Sequence, residues 1–368
     1  MPTIRARARR ASRDPTVSVP KRKADWDAVG AVQDGVVMNL EALAARYSDF
    51  AGAASGQSAC FEQWASEVSG DKDVLRWLAN LPEDKQQPNL VFAAARWHGV
   101  PAPGPYQALR DALIHDNGAI RSTIMNRSTQ TNEVGRLATL MPAFAIVASE
   151  RQPLALLEVG ASAGLCLYPD RYDYDWRPVG RLTGSGGPEL RCDITGPMPL
   201  PIATLDVRGR GGIDLNPLDL TNDDAMAWLS TLVWPEQIDR RERLVDAIII
   251  ARQDPPQLVA GNLLDLLPAR VHAASEHGQV VVFHSAVIAY LDDQERRTFS
   301  TLMRDLVGDG ACRWVSNEAE DVLPDITRTA PSVRQDALHF ILGVDGQAVA
   351  RTHQHGAAMI WLERAALT

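Results

Sequence analysis

The sequence predicts an α/β protein in which a helical cap precedes a mostly parallel sheet with an antiparallel strand pair at its C-terminal end. Three observations carry this. From Trp26 to about Glu150 every apolar pattern is helical. From Leu154 onward short apolar runs alternate with helical stretches, which implies right-handed strand–helix–strand units. The last two apolar runs, Leu338–Gly343 and Ala357–Leu362, are joined by about thirteen residues with a Val-Asp-Gly turn and no helical pattern, so they are read as an antiparallel pair.

In the cap, Val36–Phe50 places Val36, Val37, Leu40, Leu43 and Ala44 on one helical face. Asp71 is an N-cap for a helix carrying Val74, Leu75 and Leu78. Pro88 suits a first helical position, and Gly99 ends the helix Asn89–His98. Pro101–Pro105 is a rigid turn, followed by helices over Tyr106–His115 and about Asn132–Ser149.

In the α/β part, Leu154–Val159 reads as a buried strand. Further strands are expected at Gly212–Leu215, Leu258–Ala260, Val280–His284 and Arg313–Ser316, with helices at Asp223–Leu232 and Arg240–Ala251. Residues 181–206, rich in Gly and Pro, read as an insertion of short strands or loops. The expected organisation is a basic tail over 1–24, a helical cap over 25–150, and the α/β domain over 151–368.

Charge is uneven along the chain. Residues 1–23 hold eight Lys or Arg against Asp14, leaving 29 bases and 45 acids for the remainder. An acidic body argues against broad phosphate-backbone binding. The tail reads as a solvated arm with at most a weak nucleic-acid contact. The longest unbroken apolar run is Leu140–Ala148, too short to span a bilayer, so no membrane contact is expected. Cys60, Cys166, Cys192 and Cys312 are scattered and read as free thiols in a reducing cytoplasm. His353 and His355 lack nearby carboxylates, and no metal site is expected.

The chemistry is concentrated in Leu156-Leu-Glu158-Val-Gly160-Ala-Ser162-Ala-Gly164-Leu165, a buried strand, a glycine bend and an expected helix that Pro169 shortens. Without a side chain, Gly160 lets a ligand approach the backbone, and free N–H groups of a following helix would face it. Three readings compete. E-x-G-x-x-x-G resembles the first motif of class I methyltransferases, with Ser162 in place of the middle glycine. G-x-S-x-G also matches a hydrolase nucleophile elbow, with Ser162 as nucleophile, Asp321 as acid and His353 or His355 as base. A dinucleotide site fits least, because G-x-x-x-G lacks the glycine that admits pyrophosphate. A ligand-binding protein without turnover is the rival from another class.

Later segments favour the methyltransferase resemblance. It implies S-adenosyl-L-methionine (SAM) as cofactor, with Glu158, Gly160, Ser162 and Gly164 at the bend. Asp214, ending a second strand, would hold the ribose hydroxyls. Asn262 and Leu263, ending a third, would meet the adenine. On the segment before the apolar helix, Asn132 and Glu133 would serve the amino acid end, and Arg136 its carboxylate. Tyr172 and Trp176 would wall the substrate and shield the sulfonium. His284, ending the fourth strand, is the expected base, with Tyr290 and Glu318 also at the cleft. The expected reaction is in-line methyl transfer to a small molecule.

The segments Gln130-Thr-Asn-Glu-Val-Gly-Arg136, Leu157–Leu165, Asp170-Arg-Tyr172, Gly212–Pro217, Val233-Trp-Pro235 and His355-Gly356 are similar to an uncharacterised bacterial family of unknown function. That resemblance runs from about residue 30 onward. It implies a methyltransferase-like core behind a helical N-terminal portion.

Overall fold

A computed structural model describes residues 32–130, 132–148, 152–184, 186–331 and 338–363. The basic tail, with every expectation attached to it, lies outside the described residues.

The first half is helical: α1 (Val32–Ala54), α2 (Ala59–Gly70), α3 (Lys72–Ala79), α4 (Pro88–Trp97), α5 (Tyr106–Ile114) and α6 (Ala119–Asn126). Asp71 caps α3 by accepting the Asp73 and Val74 N–H groups, and Pro88 opens α4, both as the sequence predicts. The apolar positions of α2 (Cys60, Phe61, Trp64, Ala65, Val68) and the short α6 were not anticipated. α7 (Leu137–Val147) is shorter than expected. A 3-10 turn, Val134–Arg136, precedes it, so Gln130, Asn132 and Glu133 lie before the helix and not on it.

α7 is apolar all round, and nine of its eleven residues are buried. It packs on β4 (Glu189–Thr195), β8 (Arg313–Ala319) and β9 (Phe340–Val344). Pro142 has no N–H for the Ala138 carbonyl. The indole N–H of Trp176 donates to that carbonyl instead, at 2.7 Å.

The remaining strands are β1 (Leu154–Val159), β2 (Asp173–Arg177), β3 (Gly180–Leu182), β5 (Val207–Asp214), β6 (Gln257–Ala260), β7 (Gln279–Ser285), β10 (Gln347–Thr352) and β11 (Ala358–Trp361). All eleven join one mixed sheet in the order β3-β2-β4-β11-β10-β9-β8-β7-β1-β5-β6. β6, β5, β1, β7 and β8 are mutually parallel. Counted along the chain, these five run 3-2-1-4-5, the order of doubly wound sheets. Their switch point lies between β1 and β7.

α8 (Asp223–Leu232) and α9 (Ile238–Gln253) pack with the helical block on one face, in a core from Leu43 to Trp361. α10 (Leu263–Ala274) and α11 (Asp293–Gly308) cover the other face through Leu267, Val271, Phe299 and Met303. The short α12 (Pro324–Thr327) adds Ile326 there. β1 serves both faces. Leu154 and Leu156 enter the first core, Ala155, Leu157 and Val159 the second.

Three expectations are corrected. The bend after β1 does not open a helix. Ser162 and Gly164 adopt left-handed φ values of 51° and 72°, only the 3-10 turns Leu165–Leu167 and Pro169–Arg171 follow, and the chain enters β2. In the segment Asp170–Trp176, whose Arg171 is exposed, the aromatics expected to wall a substrate do not face a cleft. Tyr174 and Trp176 are buried in β2, and Tyr172 is buried just before it. At the C-terminal end, β9 and β11 do not pair. Asp345 and Gly346, both with positive φ, form a two-residue hairpin turn into β10, which lies between them.

Several segments singled out in the sequence tie these parts together. Arg96 donates to the Thr231 and Val233 carbonyls, both at 2.7 Å, while Trp234 packs against Phe50 and Phe61. Asp170 takes two hydrogen bonds from Arg210, at 2.9 and 2.8 Å, and Arg210 stacks over the Tyr168 ring.

Candidate functional site

The strand ends at the switch point carry a strap, Gln130 and residues 132–136, in which Gln130, Asn132 and Arg136 pin different elements. Gln130 Nε2 donates to the Asn216 carbonyl at 2.7 Å, just past β5, and lies 3.4 Å from Asp214 Oδ1. Asn132 Oδ1 accepts the Leu165 N–H at 3.0 Å, in the bend after β1. The Cys166 thiol donates to the Glu133 carbonyl. Arg136 donates to the Ser285 carbonyl ending β7, at 3.0 Å, and to the Gln354 carbonyl between β10 and β11, at 2.8 Å. The strap thus reaches four parts of one sheet edge.

Two glycines let the strap and the β10–β11 turn touch. A β-carbon on Gly356, which holds φ +78°, would fall 2.0 Å from the Gly135 carbonyl oxygen. One on Gly135 would fall 2.7 Å from the His355 carbonyl oxygen. This close crossing accounts for glycine at both positions.

Glu133 is the buried anion of the strap. Its Oε1 accepts the Gly135 N–H, while Oε2 pairs with Arg240 of α9 and lies 3.4 Å from His355 Nδ1. Burial opposes ionisation, but Arg240, His355 and Arg136 outweigh it and hold the carboxyl at about 2. Glu158 behaves in the opposite way. It is buried, its Oε2 has no hydrogen-bond partner, and burial followed by the nearby Asp214 pushes its carboxyl well above the usual range. Burial and the neighbouring Asp214 thus both favour the protonated form of Glu158.

Asp214 and the bend meet, as the sequence reading requires. The Ser162 N–H donates to Asp214 Oδ2 at 2.8 Å, and the Asn216 N–H to Oδ1 at 2.8 Å. Asp214 is only half-buried, and Leu215 beside it is 72% exposed. Across β6, Asn262 is exposed and caps α10 by accepting the Leu264 N–H, with Leu263 half-buried. Gly160 is closed in by protein. A β-carbon there would lie 2.2 Å from a methyl of Val287.

Of the expected catalytic residues, His284 and Glu318 do meet at the ends of β7 and β8, but inside the core. His284 is fully buried. The Trp314 indole N–H donates to its Nε2 at 3.0 Å, so the ring proton sits on Nδ1 and is given to Glu318 Oε1 at 2.7 Å. Both nitrogens are occupied, and His284 is a core residue without access to a substrate. The same Glu318 oxygen accepts the Val287 and Ile288 N–H groups at 3.1 and 3.2 Å, fixing the segment that covers Gly160. Tyr290 is 78% exposed. Tyr172 and Trp176 are buried, and Trp176 is committed to Ala138.

Ser162 Oγ is buried without a hydrogen-bond partner, so no histidine among the described residues activates it. His353 Nδ1 instead accepts the His355 N–H. Among the described residues no group of three His, Cys, Asp or Glu side chains could hold a metal ion. All four cysteines are free and buried. No helix of the described residues is long and apolar enough to cross a membrane.

Sequence reasoning missed Arg240 and Val287. Arg240 is one of four arginines between 240 and 252 with nothing to single it out, and Val287 is an ordinary apolar residue whose role depends on the turn that Glu318 holds.

A family model described as "Uncharacterized protein conserved in bacteria (DUF2332)" matches residues 44–361. The chain belongs to that family. No curated protein matches it.

Proposed function

We propose that the chain binds SAM along the exposed edge formed by β1, β5 and β6 and transfers its methyl group to a small molecule. The observation that carries this reading is the 2.8 Å hydrogen bond from the Ser162 N–H to the Asp214 carboxylate. It sets a half-exposed acid beside a glycine bend at the ends of adjacent parallel strands, where doubly wound sheets receive ligands.

The residues present fit an adenosine. A carboxylate has about four acceptor positions; Ser162, Asn216 and, at 3.4 Å, Gln130 take three of them, leaving one for a ribose hydroxyl, and more if the long Gln130 contact yields. Exposed Leu215 offers an apolar face for a base, and the Asn262 side chain offers a polar edge. SAM supplies an electrophilic methyl group when bound. The protein's part is to orient the sugar through Asp214 and to hold the bend through Asn132 and Asp214. His284 takes no proton from the acceptor, because both its nitrogens are engaged in the core.

A second reading, ligand binding without turnover, draws support from Val287, which fills the space over Gly160 at the switch point. Incubation with methyl-labelled SAM and a metabolite extract separates the two. Label in a new small molecule supports transfer. Saturable SAM retention with no labelled product supports a silent binder. No retention sinks both.

A further inference from the structure

We propose that Val287 is the specificity-determining residue of the β1–β5–β6 edge: it admits a sulfonium carrying a methyl group and disfavours one carrying a larger alkyl group. The inference rests on the SAM reading and deepens it.

Sheet order decides which element meets which end of the cofactor. The ends of β6, β5, β1 and β7 stand side by side, roughly 5 Å apart from one strand to the next. Asp214 ends β5, and Asn262 follows β6. In an adenosine the base and the 5′ carbon leave the ribose on opposite sides of the ring oxygen. A ribose held by Asp214, with its base toward Asn262, would send its 5′ substituent the other way, toward the Gly160 bend and the turn after β7.

Val287 is the side chain at that place. A β-carbon on Gly160 would fall 2.2 Å from one of its methyl groups, so the valine already lies against the bend. It is half-buried, which leaves part of it accessible.

This valine is held, not adaptable. The Val287 and Ile288 N–H groups donate to Glu318 Oε1, which also takes the Nδ1 proton of His284, and Trp314 donates to the other nitrogen of that ring. Further along the turn, Arg296 donates to the Ala289 and Leu291 carbonyls, at 2.8 and 3.0 Å. A β-branched side chain on an anchored backbone has little freedom at χ1. The backbone is also strained. Among the described residues, positive φ outside glycine occurs at Ser162, Ala286 and Asp345. Asp345 turns a hairpin, whereas Ser162 at 51° and Ala286 at 58° follow the adjoining strands β1 and β7. Such strain persists where surrounding contacts over-determine it, and here it aims the valine at the bend. Ser162 Oγ is buried at the same bend without a hydrogen-bond partner among the described residues, a polar atom the fold itself does not use.

Calorimetry of the full chain with SAM and with its S-ethyl analogue, S-adenosyl-L-ethionine, reads the size limit as a ratio of two affinities. A loss of packing that serves stability alone would weaken both compounds together and leave the ratio where it was. One methylene against a rigid apolar wall changes affinity about tenfold or more, so the wild type is expected to prefer SAM by at least about fivefold. Val287→Ala is expected to remove most of that preference, and Val287→Ile to increase it. Equal affinities in the wild type, or the same preference in all three proteins, would overturn the size limit and leave the SAM reading standing. No saturable binding of either compound to the wild type would overturn both.

Discussion

Trp176 donates its indole N–H, at 2.7 Å, to the Ala138 carbonyl that Pro142 leaves without an intrahelical partner. Helix α7 is buried nearly all round, so that carbonyl has no water to turn to. The pair explains how a proline is tolerated inside a core helix.

Trp176→Phe therefore orphans a buried acceptor, at a cost of about 1–3 kcal/mol beyond any packing loss. Pro142→Ala restores an N–H for Ala138, so the double variant should lose less than the single tryptophan change. Urea unfolding of the four proteins in the cycle reads this coupling. Strict additivity would show that the bond carries no weight.

Glu318 holds the turn after β7, since one carboxylate oxygen takes N–H groups from His284, Val287 and Ile288. Glu318→Ala leaves three donors unpaired, two of them buried, with an expected loss of about 3–5 kcal/mol. Amide exchange at Val287 and Ile288 should accelerate selectively. Unchanged protection at those two amides would remove Glu318 from this role.

Buried Glu133 and Glu158 give opposite pH signatures. Glu133 has a carboxyl lowered to about 2, so it stabilises the fold above its ordinary value of 4.5 and loses that contribution as pH falls toward 2. At about 1.36 kcal/mol per pH unit this is roughly 3 kcal/mol. Glu158 is raised, so the folded protein keeps a proton that the unfolded chain releases, and stability falls as pH rises through 4.5. Glu133→Gln should flatten acid destabilisation, whereas Glu158→Gln should stabilise the protein at neutral pH and make no difference in acid. Unfolding titrations across pH 2–8 check both signs.

Gly356→Ala places a methyl group 2.0 Å from the Gly135 carbonyl oxygen in a left-handed backbone. A loss of at least about 2 kcal/mol is expected. A melting temperature equal to wild type would show that the strap and the β10–β11 turn are free to separate.

Much of the scaffold is legible in the sequence where one local rule decides. β1 is an apolar run broken only by Glu158, α3 carries its Asp71 cap and α4 opens on Pro88, and Asp214 lies beside the bend as its place at a strand end implies. The failures come from tertiary partners. β10 (Gln-Ala-Val-Ala-Arg-Thr) has small residues and weak alternation, and only pairing on both sides makes it a strand. No helix follows the bend, because Asn132 takes the Leu165 N–H from a distant segment and the chain turns into β2. His284 ends a strand as expected, yet Trp314 and Glu318, distant in sequence, turn a candidate base into a core residue.

The central claim is that Asp214 and the Gly160–Gly164 bend hold an adenosine-bearing sulfonium. Calorimetric titration of the full chain with SAM tests it most directly, comparing wild type with Asp214→Ala. The account predicts saturable one-to-one binding to the wild type and at least tenfold weaker binding to a folded Asp214→Ala variant. Heats no larger than dilution for the wild type, or equal affinity in both proteins, would contradict it.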